Sequence, residues 1–309
     1  MSMPEFTLLI TALLFGMYAW LSGLELGVAL LRLSKNLDPR KNQSLFTPVW
    51  EITNMIMVFA FVAFGVFFNN VLPRLDGTVF GILAVTMTAL LARACLVLYM
   101  YHIKSRPGVN LVNLLFVVCS ALVPLGFAAI GVYLLTGRLF WYTHAGWTLF
   151  LVAKLGLLSL AASFVLFQTK RRSTLLRLAV TGLTVTWAAF GTLALQHVLP
   201  THLLGSGFVA WTALLDLVLL YTAVLLFLHR EQHLWIGLSI VAILAPIVWA
   251  LTNLPYLVFP GLLTAAYGAQ AYDKATLIGL AVVAPFMILG AVLFIRLYTT
   301  QPRSLDQPK

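Results

Sequence analysis

Long apolar runs separated by short polar loops recur from one end of this chain to the other. A helix needs about 20 predominantly apolar residues to cross a bilayer. The pattern predicts nine transmembrane helices, at approximately 5–33, 46–71, 78–103, 110–136, 144–168, 175–197, 207–228, 234–252 and 275–298. The eighth run is the least regular. Apolar character continues from Ala245 to Tyr267, but Pro246, Pro255 and Pro260 interrupt it, and proline starts or kinks a helix rather than occupying a regular interior. Residues 253–274 therefore read as a partly buried, membrane-adjacent loop. The first run lacks a basic leading segment and extends beyond 25 residues, so it reads as a helix and not as a cleavable signal peptide. With no hydrophilic domain, low-complexity linker or solenoid period, residues 1–309 read as a single integral membrane domain.

Composition agrees with this class. Apolar residues make up 61% of the 309-residue chain and charged residues only 9%, too little charge to cover a soluble protein of this size. The net charge of +10 comes from the loops. Of the 19 basic residues, 14 lie after the first, third, fifth and seventh runs or at the C-terminus, among them Arg32, Lys35, Lys104, Arg106, Lys170, Arg171 and Arg230. Arg74, Arg138 and Lys274 lie in the opposite loops. The positive-inside rule then places the N-terminus outside and the C-terminus in the cytoplasm. A nucleic-acid partner is excluded, since it requires a basic face on a soluble domain. Cys95 and Cys119 both fall inside apolar runs and read as small hydrophobes rather than as a disulfide or metal pair.

Against this background the charges inside the runs are the candidate chemistry, because a charge at mid-bilayer costs about 2.5–3.5 kcal/mol on insertion scales. Glu25 lies in the cytoplasmic half of the first run, Glu51 follows Trp50 at the start of the second, and Arg93 lies in the cytoplasmic half of the third. These three are expected near one depth, as a carboxylate pair with a basic partner. Lys154 and Asp216 fall closer to mid-bilayer, as further buried polar sites. Gly23 and Gly27 flank Glu25, and small residues let a neighbouring helix approach closely enough to bury the carboxyl in protein. Each charge also has a plainer reading. Glu51 can face headgroup water at a helix start, where the macrodipole favours an anion; Arg93 and Lys154 can snorkel or neutralise an acid for folding alone.

Redox and hydrolytic signatures are missing from the sequence. His144, His197 and His202 lie near the outer interface and His102, His229 and His233 near the inner one, so no two are expected to sandwich a haem at mid-membrane depth. His229 and His233 flank Arg230 and Glu231 in a short loop and read as solvated. The chain has no CxxC, HExxH, P-loop or GxSxG motif.

The segment Ser22-Gly-Leu-Glu-Leu-Gly27 resembles the Asp-Gly-Phe-Asp-Leu-Gly signature in the first helix of subunit II of cytochrome bd-type quinol oxidases. Pro48-Val-Trp-Glu-Ile-Thr-Asn54 resembles the Pro-x-Trp-Asp-Gly-Asn segment that follows in that family. Arg93 through Arg106, Gly146-Trp-Thr-Leu149, and Pro255-Tyr256 through Ala275-Thr-Leu277 are similar to later family segments, in the same order. The resemblance implies an all-α membrane protein of two four-helix bundles plus one peripheral helix. It would be the haem-free, non-catalytic second subunit of a quinol:oxygen oxidoreductase in the bacterial inner membrane. Haem b and haem d, with the quinol site, are then expected in subunit I, its heterodimer partner. Small single-span accessory subunits and a bound structural quinone or lipid also belong to that picture. Carried over by position, Glu25 and Glu51 match the family's acids on a proton path from the cytoplasm; on this chain's own residues, Arg93 or a bound cation is expected to hold their charge. The chain departs from the pattern at Ser22, where the family has Asp, in having Glu at both acids, and at Ile52, Thr53 and Asn54, which replace a more polar pattern. A stand-alone secondary transporter of a small cation or metabolite, its acids binding substrate at the midplane, is the rival expectation, and a purely structural member of the family a third.

Overall fold

The computed structural model describes residues 3–33, 39–68, 73, 77–102, 109–136, 138–168, 174–198, 237–243 and 289–290. Six helices follow one another: α1 (Met3–Arg32), α2 (Pro39–Phe67), α3 (Gly77–His102), α4 (Leu111–Thr136), α5 (His144–Gln168) and α6 (Thr174–Val198), with one 3₁₀ turn at Phe140–Tyr142. Among the described residues there is no strand, in keeping with the all-helical expectation. Five stretches are long and apolar enough to cross a membrane: Thr7–Arg32, Val49–Phe67, Gly77–Met100, Leu111–Tyr133 and Gly146–Gln168. The runs expected at 207–228 and 275–298 lie outside the described residues save for 289–290, and of the run at 234–252 only residues 237–243 are described, as helix. The chain divides into two compact units, Met1–Gly268 and Ala269–Lys309, and all six helices belong to the first.

Local chemistry accounts for the helix ends. The Asn110 side chain accepts a hydrogen bond from the Asn113 N–H (2.9 Å) at the start of α4, and Thr143 Oγ1 accepts one from the Gly146 N–H (3.0 Å) at the start of α5. Each satisfies a donor that the first helical turn would otherwise leave unpaired. Helix α2 begins well before the apolar run expected from residue 46, because Pro39 suits a first helical position and the Arg40, Lys41 and Gln43 that follow are good helix formers. It ends at Phe67, earlier than the expected 71. Hydroxyls inside the spans turn back on their own helices: Thr11 donates to the Thr7 carbonyl, Ser22 to Ala19, Thr53 to Val49, Thr86 to Ile82 and Thr184 to Val180, at 2.6–2.9 Å. A polar group in an apolar medium is thereby satisfied without a partner helix.

Helix α1 is the spine. It packs against α2, α4 and α5, while α3 packs on α4 and α6 on α5. In its span 78% of residues are buried, against 22–39% in the other four. Large apolar side chains such as Val62, Val85, Leu91, Leu111 and Leu178 are exposed on the outer helices, as expected where the solvent is lipid or another subunit. Around the 3₁₀ turn, Phe140 stacks on Phe150 (4.1 Å, 10°) and meets Trp147 edge-on (4.8 Å). Trp141, Tyr142 and Trp147 remain exposed, an aromatic belt of the kind that marks a membrane–water interface.

The close approach of α5 to α1 depends on two glycines. A Cβ on Gly23 would collide with the Leu160 side chain, and one on Gly27 would lie 2.9 Å from Phe164 Cδ1 and 3.0 Å from the Ala161 carbonyl oxygen. Gly65 on α2, by contrast, has open space around it. Gly27→Val is therefore expected to force α1 and α5 apart at a cost of about 1–3 kcal/mol, and Gly65→Ala to cost nothing. Unfolding of the detergent-solubilised protein followed by circular dichroism measures both. Equal midpoints for the two variants would contradict the packing described.

Candidate functional site

The site lies where α1, α2 and α3 present one polar side chain each to the same interior point. Glu25 sits about two turns before the end of α1 and Arg93 about two turns before the end of the α3 span. Asn54 sits a little over one turn into the α2 span. α2 runs opposite in sense to the other two, so these positions coincide in depth. Arg93 Nη1 donates to Glu25 Oε2 at 2.8 Å, and Arg93 Nη2 donates to Asn54 Oδ1 at 2.9 Å. Both members of the ion pair are only 1% exposed.

The guanidinium fork is therefore split between a carboxylate and an amide. It does not grip the carboxylate with both prongs, which would be the stronger arrangement for a pair alone. Two atoms are left over: Glu25 Oε1 and Arg93 Nε are buried with no hydrogen-bond partner among the described residues. The Tyr18 hydroxyl, two turns back on the same helix, is also buried without a partner and lies within electrostatic reach of both charges. The Cys119 thiol of α4 is within electrostatic reach of Arg93. A second polar tie closes the same end of the bundle, where Arg32 Nε donates to Asn113 Oδ1 at 2.8 Å.

Of the residues singled out in the sequence, Glu25 and Arg93 are brought together; Glu51 is not. Glu51 is exposed at the start of the α2 span, at the head of an exposed stripe formed by Met55, Val58, Val62 and Val66. Lys154 is exposed on α5, and Asp216 lies outside the described residues. The residue that completes the site from α2 is Asn54, one of the positions where the chain departs from the more polar pattern. The glycines beside Glu25 have a different task from the one expected. At about 100° per residue, Gly23 and Gly27 lie on the side of α1 opposite Glu25, where they meet Leu160, Ala161 and Phe164 of α5. They bring α5 close behind the helix and leave the carboxyl to face α2 and α3. Among the described residues no group of three or more His, Cys, Asp or Glu could hold a metal ion, and His144 is exposed at the start of α5.

Residues 3–298 match the family described as cytochrome bd terminal oxidase subunit II. The fold is that of a chain in the structure of bd oxidase from Geobacillus thermodenitrificans. The TM-score is 0.75 at 17% sequence identity, and the match covers 96% of this chain and 99% of that one. None of the curated protein sequences compared with the chain matches it.

Removing one partner of a buried ion pair leaves an uncompensated charge, whereas removing both is often tolerated. Arg93→Met is expected to destabilise the chain by about 3–5 kcal/mol, and adding Glu25→Leu to it to recover most of that loss. Denaturation of the three variants in detergent forms the test cycle. Additive losses would show that the two charges do not stabilise each other.

Proposed function

The chain belongs to the cytochrome bd terminal oxidase subunit II family, and on that premise we propose how it serves the oxidase. As a member it is a subunit of a respiratory quinol oxidase complex, a multi-pass protein of the bacterial inner membrane that works beside a partner oxidase subunit. The proposal is that it contributes no haem ligand. It spans the membrane nine times with its N-terminus outside, as two four-helix bundles and a peripheral helix. It packs against a subunit I that carries haems b and d and receives quinol, stabilises that partner, and helps bring protons to it from the cytoplasm.

The observation that carries the proton role is the split fork at Glu25. Because Arg93 binds only Oε2, the carboxylate can take a proton at Oε1 and release it without giving up its ion-pair geometry. Asn54 holds the second prong of the fork, so Arg93 stays in place through either protonation state. A carboxylate that moved with each proton would need to reorganise its surroundings every time, and a preorganised one does not. Glu51, exposed at the head of an otherwise apolar stripe, has the opposite character. Exposed among the described residues, it is available to a neighbouring subunit, where it can pass a proton onward. The positive-inside bias of the loops, which sets both acids in the cytoplasmic half, supports uptake from that side.

Replacing Glu51 by Ala in the assembled oxidase is expected to lower oxygen consumption by about a hundredfold, the lower end of what a positioned proton-transfer group contributes, with the visible haem spectrum intact. Unchanged turnover would remove Glu51 from the path. Expressed without its partner, the chain is expected to show no haem bands, and co-expression with subunit I to restore them. Haem bands in the isolated chain would overturn the haem-free assignment.

A further inference from the structure

We propose that the exposed face of α5 holds an anionic phospholipid, with Lys154 and Trp147 as its anchors. Lys154 is a charge inside an apolar span that the proposed proton route does not use. It is exposed on α5, eight residues into the span Gly146–Gln168, about 12 Å along the axis from its start. An ammonium facing hydrocarbon at that depth is costly and requires a counter-charge. α5 packs against α1, α4 and α6. No Asp or Glu occurs from residue 77 through residue 215, which takes in all of α4, α5 and α6. The α1 span, Thr7–Arg32, contains only Glu25, which is buried and paired with Arg93. The counter-charge is therefore not in these four spans.

The face that carries Lys154 leads to the membrane–water interface. His144, Trp147, Leu151 and Lys154 are all exposed, and their spacing sets them within about 80° of the helix circumference. The Trp147 ring is held edge-on against Phe140 at 4.8 Å, and Trp141 and Tyr142, just ahead of α5, are exposed as well. This end of the face therefore lies at headgroup depth, with Lys154 about two turns below Trp147. Helical side chains lean toward the N-terminus, so the long stem of Lys154 carries its ammonium toward that interface and away from the bilayer centre.

The chemistry of the two anchors selects the ligand. The Lys154 ammonium and the Trp147 indole N–H can only donate, so the ligand must accept. Both side chains lean the same way and stay about 10 Å apart along the axis, too far for a small ion to touch both. A phospholipid lying along α5 presents ester oxygens to the deeper group and phosphate oxygens to the shallower one, and its acyl chains continue past Lys154 along the span. A net negative charge is favoured because Lys154 is otherwise uncompensated. A transmembrane helix fits less well. Its backbone acceptors are used internally, so it would have to bring a carboxylate to that depth at a cost of its own. The inference is independent of proton delivery, and it turns this face of α5 toward lipid rather than toward a subunit.

Photolabelling of the assembled oxidase tests this. Vesicles of equal parts phosphatidylglycerol and phosphatidylcholine, with the same acyl chains, carry a diazirine first on one lipid and then on the other, and mass spectrometry counts the crosslinks on each helix. On residues 144–154 phosphatidylglycerol is expected to exceed phosphatidylcholine by about fivefold relative to the other labelled helices, the factor for one lysine near a membrane surface. Lys154→Met is expected to abolish that preference and Lys154→Arg to keep it. Equal labelling by the two lipids, or a preference that survives Lys154→Met, overturns the site. So does a face of α5 that no lipid labels, which would show it covered by protein, whether by Asp216 of this chain or by an acid of a partner. A Lys154→Met chain that fails to assemble would place the lysine in a protein contact and overturn the proposal as well.

Discussion

The ion pair between Glu25 and Arg93 is the constraint on which the arrangement of the first helices depends. Two charges removed from water each lose several kcal/mol of solvation, and their attraction repays this only with good geometry and satisfied neighbours. Arg93 meets this condition by reaching across the bundle. The backbone of α3 packs chiefly on α4, yet its guanidinium ends on α1 and α2. One side chain therefore fixes the rotation of α3 about its axis and its depth relative to both partners. In a bilayer, apolar faces alone discriminate weakly between registers, because lipid is as apolar as another helix. A buried pair supplies the register that hydrophobic packing does not.

The two sides of α1 solve different problems. Toward α5 it offers Gly23 and Gly27, so that Leu160 and Phe164 pack against the helix backbone itself. Toward α2, α3 and α4 it offers Glu25 and Tyr18, with Phe15 meeting the rings of Phe61 and Phe64. Close contact behind the helix keeps lipid away from the polar side in front. Either device alone would leave the carboxylate half-surrounded. Their combination is why the spine of the bundle tolerates a buried charge.

Much of this was legible before any coordinates. The apolar runs and the meeting of Glu25 with Arg93 follow from length and depth. What failed was rotational phase. Glu25 lies about 200° from each flanking glycine, so the glycines that were expected to bury it face away from it. On α2, Glu51 and Asn54 are about one turn apart, and only the second points inward, to Arg93. In a soluble helix an apolar stripe would have revealed the inner face. These helices are apolar on nearly every side, so only the few polar residues report phase, and each must be paired before it can be read. Tyr18 escaped notice for the same reason: a tyrosine in an apolar run carries no signal until its hydroxyl is seen without a partner.

The contrast between the two acids bears on how a subunit of this family can hold chemistry for its neighbour. Glu25 is enclosed by its own chain, charge-compensated and fixed at one oxygen. Glu51 is exposed in a setting where exposure means lipid, headgroup or partner protein. An acid facing hydrocarbon would stay neutral or be displaced toward the interface, whereas one facing a partner can be completed by that partner's donors. On the proposed reading, the chain keeps one acid for itself, where fold stability demands pairing, and leaves the other incomplete until the complex forms. Assembly would then be the step that finishes the proton path. An unassembled subunit would carry no continuous route for protons across the membrane, which protects the cell from a leak before the oxidase is whole.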